Sequence, residues 1–293
     1  SHHSSQLHSP KKNGNVYLAY PNHYRYENKN NLDENILKKL DEIFDTTCNP
    51  KDVAAIFIEP IQSDGGVIVP PKGFMKSIEK KCREHGILIV VDEVKVGLGR
   101  SGLMHAFQHD NLEPDFITFG KALGGGLPLS AVVGPKDLMD FTTAFSIMTT
   151  SGNPISASAG MAVLRAIEEE NLIANAKLIG DNLQESFRQL ANKHDLIGNV
   201  RGRGLAIGLE LVNDRHKNKI AAKTETAKIV YRAYELGLVI FYVGMESNVL
   251  ELTPPLILNE HESKLGLEIL DQAISDVTNG LVPDSAIEDY KGW

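Results

Sequence analysis

Ile87-Leu88-Ile89-Val90-Val91-Asp92-Glu93-Val94 and, further along, Phe116-Ile117-Thr118-Phe119-Gly120-Lys121-Ala122-Leu123-Gly124-Gly125-Gly126-Leu127-Pro128 follow one pattern. Each is a short apolar run that ends in a charged or glycine-bearing turn, and both apolar runs read as buried parallel strands. Working outward, residues 32–44 are helix-like, 53–58 a strand, and 73–85 an amphipathic helix closed by Gly86. Residues 130–133 form a further strand. Strands alternating with helices predict a parallel sheet whose ligands sit outside its carboxyl ends.

Asn153-Pro154 opens a long helical stretch from 155 to about 193, and the rhythm changes after a break at 194–199. Residues 200–211 (VRGRGLAIGLEL) read as one strand and 225–236 as a helix. Two strands follow at 239–243 and 248–252, then a closing helix at 259–279. The chain therefore divides into a large α/β domain, residues 1–197, and a smaller C-terminal α+β domain, residues 198–293. No internal repeat or low-complexity tract interrupts it.

The 293 residues are 42% hydrophobic, ample for a sizeable core. A net charge of -8 without a long basic or acidic block gives no signal for nucleic acid or an anionic membrane, and favours small polar metabolites. No apolar run approaches the roughly 20 residues needed to span a bilayer. Cys48 and Cys82 have no metal-ligand spacing, which fits a reduced, cytoplasmic protein. The first 31 residues are polar and aperiodic. Their three histidines among the first eight positions suit a tag remnant or a surface loop better than a metal site, and no metal is expected.

Other motifs fail on spacing. Gly202, Gly204 and Gly208 lie inside a strand-like run and imply close backbone packing, not a dinucleotide turn. Gly124-Gly125-Gly126 lacks the Lys-Ser/Thr of a phosphate-binding loop and reads as pliable backbone beside Lys121. His105 and His109 have no accompanying acid of an HExxH motif.

Asp92 at one strand end and Lys121 just past a neighbouring strand are a different matter. A lysine amine can condense with the aldehyde of a pyridine ring while a carboxylate keeps the ring nitrogen protonated, so that the ring takes up electrons. That is the chemistry of pyridoxal 5'-phosphate.

Four ordered motifs carry a resemblance. Phe57-Ile58-Glu59-Pro60-Ile61-Gln62-Ser63-Asp64-Gly65-Gly66, Val91-Asp92-Glu93-Val94-Lys95-Val96-Gly97-Leu98-Gly99-Arg100, Phe119-Gly120-Lys121 and Thr149-Thr150-Ser151-Gly152-Asn153-Pro154 occur in that order. From about Tyr20 to about Thr278 the chain resembles the class III aminotransferase family of fold-type I pyridoxal-phosphate enzymes. The resemblance implies a mainly parallel large domain with a smaller C-terminal domain. It also implies that Lys121 is the cofactor-linked lysine, that Asp92 pairs with the ring nitrogen, and that Val94 packs under the ring. Thr149 would reach the cofactor phosphate of a neighbouring subunit, implying a homodimer with shared active sites, or a tetramer built from it. Family members carry a further N-terminal region, with a small-residue phosphate loop and an aromatic that stacks on the ring. Neither is visible in this sequence.

Three departures shape the functional expectation. Lys95 stands where aminotransferases commonly have glutamine, beside the cofactor's phenolic oxygen. Glu251, three residues before Pro254-Pro255, stands where many members have the arginine that grips the substrate carboxylate. Asp64 stands where glutamate is usual. Asp64, Asp92, Lys95 and Lys121 together resemble the racemase branch, which includes isoleucine 2-epimerase and α-amino-ε-caprolactam racemase. There, Asp64 and Lys121 would serve the two faces of the α-carbon, because inversion needs proton removal on one face and return on the other. The expected activity is racemisation or epimerisation of apolar, branched-chain amino acids. The alternatives are amino transfer to a 2-oxo acid and a truncated homologue that folds and dimerises without turnover.

Overall fold

The computed structural model describes residues 14–26, 32–143 and 148–290. The histidine-bearing stretch at 1–8 and most of the polar leader lie outside them. Two four-stranded sheets organise the rest.

The first sheet has the order β1 (Ala55–Ile58), β2 (Leu88–Asp92), β3 (Phe116–Phe119), β4 (Ala131–Val133). β1, β2 and β3 are parallel neighbours, as the alternating pattern predicts. β4 runs antiparallel to β3, which leaves the sheet mainly parallel. The link from Phe119 to Ala131 holds only one short 3-10 turn, Lys121–Gly124, which cannot supply the crossover that a parallel return requires.

Ile87, Ile89 and Val91 are buried beside helices α1 (Leu32–Thr46) and α2 (Phe74–His85), whose Leu32, Ile36, Leu40, Phe74, Met75, Ile78 and Cys82 fill the same core. Each such large side chain contributes about 1.5–3 kcal/mol by leaving water. Gly86 ends α2 at φ 70°, a left-handed cap that glycine adopts without a side-chain clash.

The predicted single helix over 155–193 is two. Helix α4 (Pro154–Glu169) follows the short α3 (Lys136–Met139), and α5 (Leu172–Lys193) follows α4. The break falls at Asn171, which is left-handed at φ 53°. Asparagine tolerates that conformation better than most residues, and the apolar period on either side conceals the corner. Asn153 caps α4, its Oδ1 accepting the N–H of Ile155 at 2.9 Å and of Ser156 at 3.3 Å, worth about 1 kcal/mol.

Residues 200–211 are likewise not one strand. They form a tight antiparallel hairpin of β5 (Ile197–Arg203) and β6 (Ala206–Leu211), with Arg203 opposite Ala206. Gly204 turns the corner at φ 55°, where a β-carbon would lie 2.4 Å from the Ser101 carbonyl carbon. Gly180 of α5 presses on it from the other side, where a β-carbon would sit 2.2 Å from the Gly204 carbonyl carbon. The expected close packing of the glycine run is thus real, and it is what makes the corner. The second sheet has the order β5, β6, β8 (Val249–Leu252), β7 (Phe241–Val243), with all neighbours antiparallel.

Helices α5, α6 (Lys223–Glu235) and α7 (Glu260–Thr278) share one core with this second sheet. α5 bridges the two halves. Its Leu172 and Ile173 pack with Phe119 and Leu123, while Ala176 to Leu190 belong to the second core. No helix among the described residues is long and apolar enough to cross a membrane, and none of their acidic, histidine or cysteine groups clusters as a metal site.

Candidate active site

Parallel pairing of β2 and β3 puts their carboxyl ends at one edge of the sheet, with Asp92 in register with Thr118. Asp92 Oδ1 accepts the Val94 N–H at 2.9 Å, and no lysine or arginine among the described residues pairs with the carboxylate. Lys121 follows β3 after Gly120, is exposed, and forms no ion pair among the described residues. Its φ is 42°, a left-handed conformation that costs a non-glycine residue about 1–3 kcal/mol.

The turn holds that strain in place. Leu123 N–H donates to the Gly120 carbonyl at 2.9 Å, and Leu123 is buried among Phe119, Leu129, Val163 and Ile167. The Val94 methyls lie against Gly120, where a β-carbon would be 3.3 Å from Cγ1. Asp92, Val94 and Lys121 therefore belong to one local assembly, with an unpaired acid and an unpaired amine carried by adjacent strands. A pyridine ring with a basic nitrogen and an aldehyde matches that donor set. Asp92 could hold the nitrogen end and Lys121 the aldehyde end.

Beside them lies a cluster in which every charge is paired. Lys95 Nζ is 2.5 Å from Asp64 Oδ1 and 2.8 Å from Glu251 Oε1. The Ser63 hydroxyl donates to Glu251 Oε1 at 3.0 Å. Glu251 is buried, whereas the Asp64 side chain is 53% exposed. Burial pushes the Asp64 carboxyl up, but the Lys95 hydrogen bond and the charges of Lys95 and Lys121 outweigh it and hold the carboxyl below its ordinary value. Burial pulls the Lys95 ammonium down, but its hydrogen bonds to Asp64 and Glu251 hold it above its ordinary value.

Two further acids line the same region. Burial raises Glu59, against the Ser63 N–H that donates to its Oε2 at 3.0 Å, with Asp92 and Asp64 adding to the rise. Glu93 is 1% exposed and pushed by burial to about 7, although Ala106 and Phe107 N–H groups donate to it at 3.0 and 2.9 Å.

The structure therefore brings Asp64, Lys95 and Glu251 together, and Asp92, Val94 and Lys121 together. Thr149 stays apart. It lies exposed in the turn before α4, where the Ser151 N–H donates to the Met148 carbonyl at 3.0 Å. Ser63 as a hydrogen-bond donor to Glu251 is not legible in the sequence, where Lys95 and Glu251 stand as independent departures. They are two ends of one ion pair. The available signal was that both departures change charge, in opposite directions.

Comparison with known proteins gives the family. The family profile described as aminotransferase class-III matches residues 1–274, including the histidine-bearing start. The chain is 40% identical over 274 residues to an alanine/serine racemase of Pyrococcus horikoshii, covering 91% of this chain and 57% of the relative. It is 38% identical over 245 residues to the 4-aminobutyrate aminotransferase GabT of Escherichia coli, covering 83% and 57%. Among solved structures, an amine transaminase from an uncultivated Pseudomonas species in its PLP-bound form superposes with a TM-score of 0.82 at 29% identity, covering 91% of this chain and 64% of that one. The chain spans less than two thirds of the length of each of these proteins. With its profile match, its fold and its lysine and acid at adjacent strand ends, the chain belongs to the class III aminotransferase family of pyridoxal-phosphate enzymes.

Proposed function

We propose that this chain carries the catalytic residues of an amino-acid racemase or epimerase acting on apolar, branched-chain substrates. The observation that carries the reading is geometric: Asp64 forms a 2.5 Å ion pair with Lys95 in the turn after β2, the strand that ends on Asp92 beside the strand leading to Lys121, and that pair helps hold the Asp64 carboxyl below its ordinary value. An ionised carboxylate can accept a proton, and a lysine can deliver one from another direction, which is what inversion at Cα demands. The cofactor, when bound, supplies an electron sink that acidifies the substrate α-hydrogen.

In this reading Lys121 moves a proton on one face of Cα and Asp64 on the other. Asp92 would hold the cofactor's ring nitrogen in its protonated form and Val94 would pack on the ring. Lys95, its charge balanced by Asp64 and Glu251, would serve the phenolic oxygen. Glu251 supports the reading from another side, because a carboxylate already engaged by Lys95 and Ser63 cannot grip a substrate carboxylate as an arginine would. Thr149 would serve the phosphate of a neighbouring subunit in a homodimer. We keep residues 1–197 and 198–293 as the large and small functional units.

Amino transfer to a 2-oxo acid is the second reading, favoured by the GabT relative, whose identity is close to that of the racemase. The two are separated in deuterated water. With pyridoxal phosphate and L-isoleucine, the racemase reading expects the 2-epimer, labelled at Cα, without any 2-oxo acid. Asp64→Asn should suppress inversion far more than cofactor attachment. A strict requirement for an oxo acid, with a new amino acid as product, would replace the racemase reading with the aminotransferase one.

A further inference from the structure

Asp64 sits on a loop that is closed by its own backbone and held from outside by the second sheet. Residues 62 and 68 close the loop with paired backbone hydrogen bonds, at 3.0 Å from Gln62 N–H to the Ile68 carbonyl and 2.8 Å in return. Between them the chain passes through two left-handed positions, Gly66 at φ 122° and Val67 at φ 50°. A valine there is costly, since its branched β-carbon crowds the backbone, so the neighbourhood must hold it.

Within the loop the Ser63 carbonyl accepts the Gly66 and Val67 N–H groups at 2.9 and 2.8 Å, while the loop's own carbonyls are held from the second sheet. Arg201 on β5 donates from Nε to the Gly66 carbonyl at 3.0 Å and the Val67 carbonyl at 3.1 Å, and from Nη2 to the Gly66 carbonyl at 2.5 Å. Its remaining nitrogen, Nη1, reaches Glu210 Oε2 at 2.5 Å and Asn199 Oδ1 at 3.0 Å. Glu210 is 2% exposed and is also paired with Arg25 Nε. Gly244 N–H, in the turn between β7 and β8, donates to the Asp64 carbonyl at 3.0 Å. Every nitrogen of one guanidinium is used, two of them on loop carbonyls. A lysine could not reproduce that planar fork.

We propose that Arg201 is a positioning residue: by pinning the Gly66 and Val67 carbonyls to the buried Glu210, it holds the loop that sets Asp64 against Lys95. It touches none of the groups assigned to the cofactor or the α-carbon and acts through the backbone. The consequence for the reaction rests on Asp64 being an acid/base group. The positioning itself does not.

The test reads Asp64 directly, in the protein without added cofactor. With 13C-labelled aspartate, the Asp64 carboxyl signal is assigned by its disappearance in Asp64→Asn and titrated with pH. Asp64 faces Lys95 and Lys121 as cations and Glu59 and Glu251 as anions. Loss of the Lys95 contact should therefore move its midpoint up towards that of an ordinary aspartate. Arg201→Gln is expected to produce that upward shift. Arg203→Gln serves as the control, because Arg203 is on the same strand and paired to the buried Asp110 at 2.7 Å but does not touch the loop. It should lower Tm by a comparable amount while leaving the Asp64 midpoint in place. Should Arg201→Gln not fold, Arg201→Lys keeps the charge without the fork and should shift the midpoint in the same direction. An unmoved midpoint in the folded Arg201 variant, or an equal shift in the Arg203 control, overturns the proposal. Retention of inversion by Asp64→Asn would sink the catalytic reading of Asp64 and leave this result standing.

Discussion

Two groups of charges share one end of the first sheet and are treated in opposite ways. Asp64, Lys95 and Glu251, drawn from a loop, a turn and a strand of the other sheet, neutralise one another within hydrogen-bond distance. Asp92 and Lys121, carried by adjacent strands, form no ion pair among the described residues. The paired group explains itself by its own contacts. The unpaired group does not, since an acid and a strained lysine left open at adjacent strand ends gain nothing for the fold. In the proposed reading they are the two ends of a site that a ring with a basic nitrogen and an aldehyde would complete.

The largest expected effect lies in the unpaired group. Lys121→Ala should abolish covalent cofactor attachment and essentially all α-proton exchange, because amine and proton carrier disappear together. Mass spectrometry after borohydride reduction, with exchange followed in deuterated water, checks both losses. Asp92→Asn comes next. Its Oδ1 can still accept the Val94 N–H, so the fold should hold, while exchange slows by about 100-fold or more once the charge that keeps the ring nitrogen protonated is gone. An unchanged exchange rate with a folded protein would show that another acid holds that nitrogen.

Effects in the paired group should appear first in stability. Glu251→Gln strips a buried partner from Lys95 and should cost about 3 kcal/mol, read from urea midpoints at constant m. The smallest effect concerns Asp64, whose side chain is more than half exposed. Its folded pKa is lowered, so the stability it adds is present above the unfolded aspartate value and is lost as pH falls through the folded one. The parent should therefore exceed Asp64→Asn by no more than about 1 kcal/mol at neutral pH, and the gap should close on acidification. A gap that widens in acid would mean the ion pair with Lys95 is not what sets the Asp64 pKa.

Much of the first sheet was legible because burial on both faces leaves unbroken apolar runs such as 87–91, bounded by recognisable turns. The corners were harder to see. Gly204 and Asn171 each reverse or redirect the chain within a continuous apolar period, so one predicted strand is a hairpin and one predicted helix is two. The antiparallel β4 was hidden because strand direction depends on the length of the link, not on the residues of the strand. The placing of Asp92 and Lys121 at adjacent strand ends was readable from the apolar runs that precede them. The Lys95–Glu251 pair and the Arg201 clamp were not, since both join residues far apart in sequence and need the second sheet to fold beside the first.

The contrast between the open and the closed lysine can be put to one direct measurement. The protein is mixed with pyridoxal phosphate, reduced with borohydride, digested, and the labelled peptide identified. The unpaired Lys121 should carry the label, with visible absorbance before reduction and loss of that band after it. Label on Lys95, the lysine already held by two carboxylates, or on neither residue, would contradict the assignment of the open pair to the cofactor.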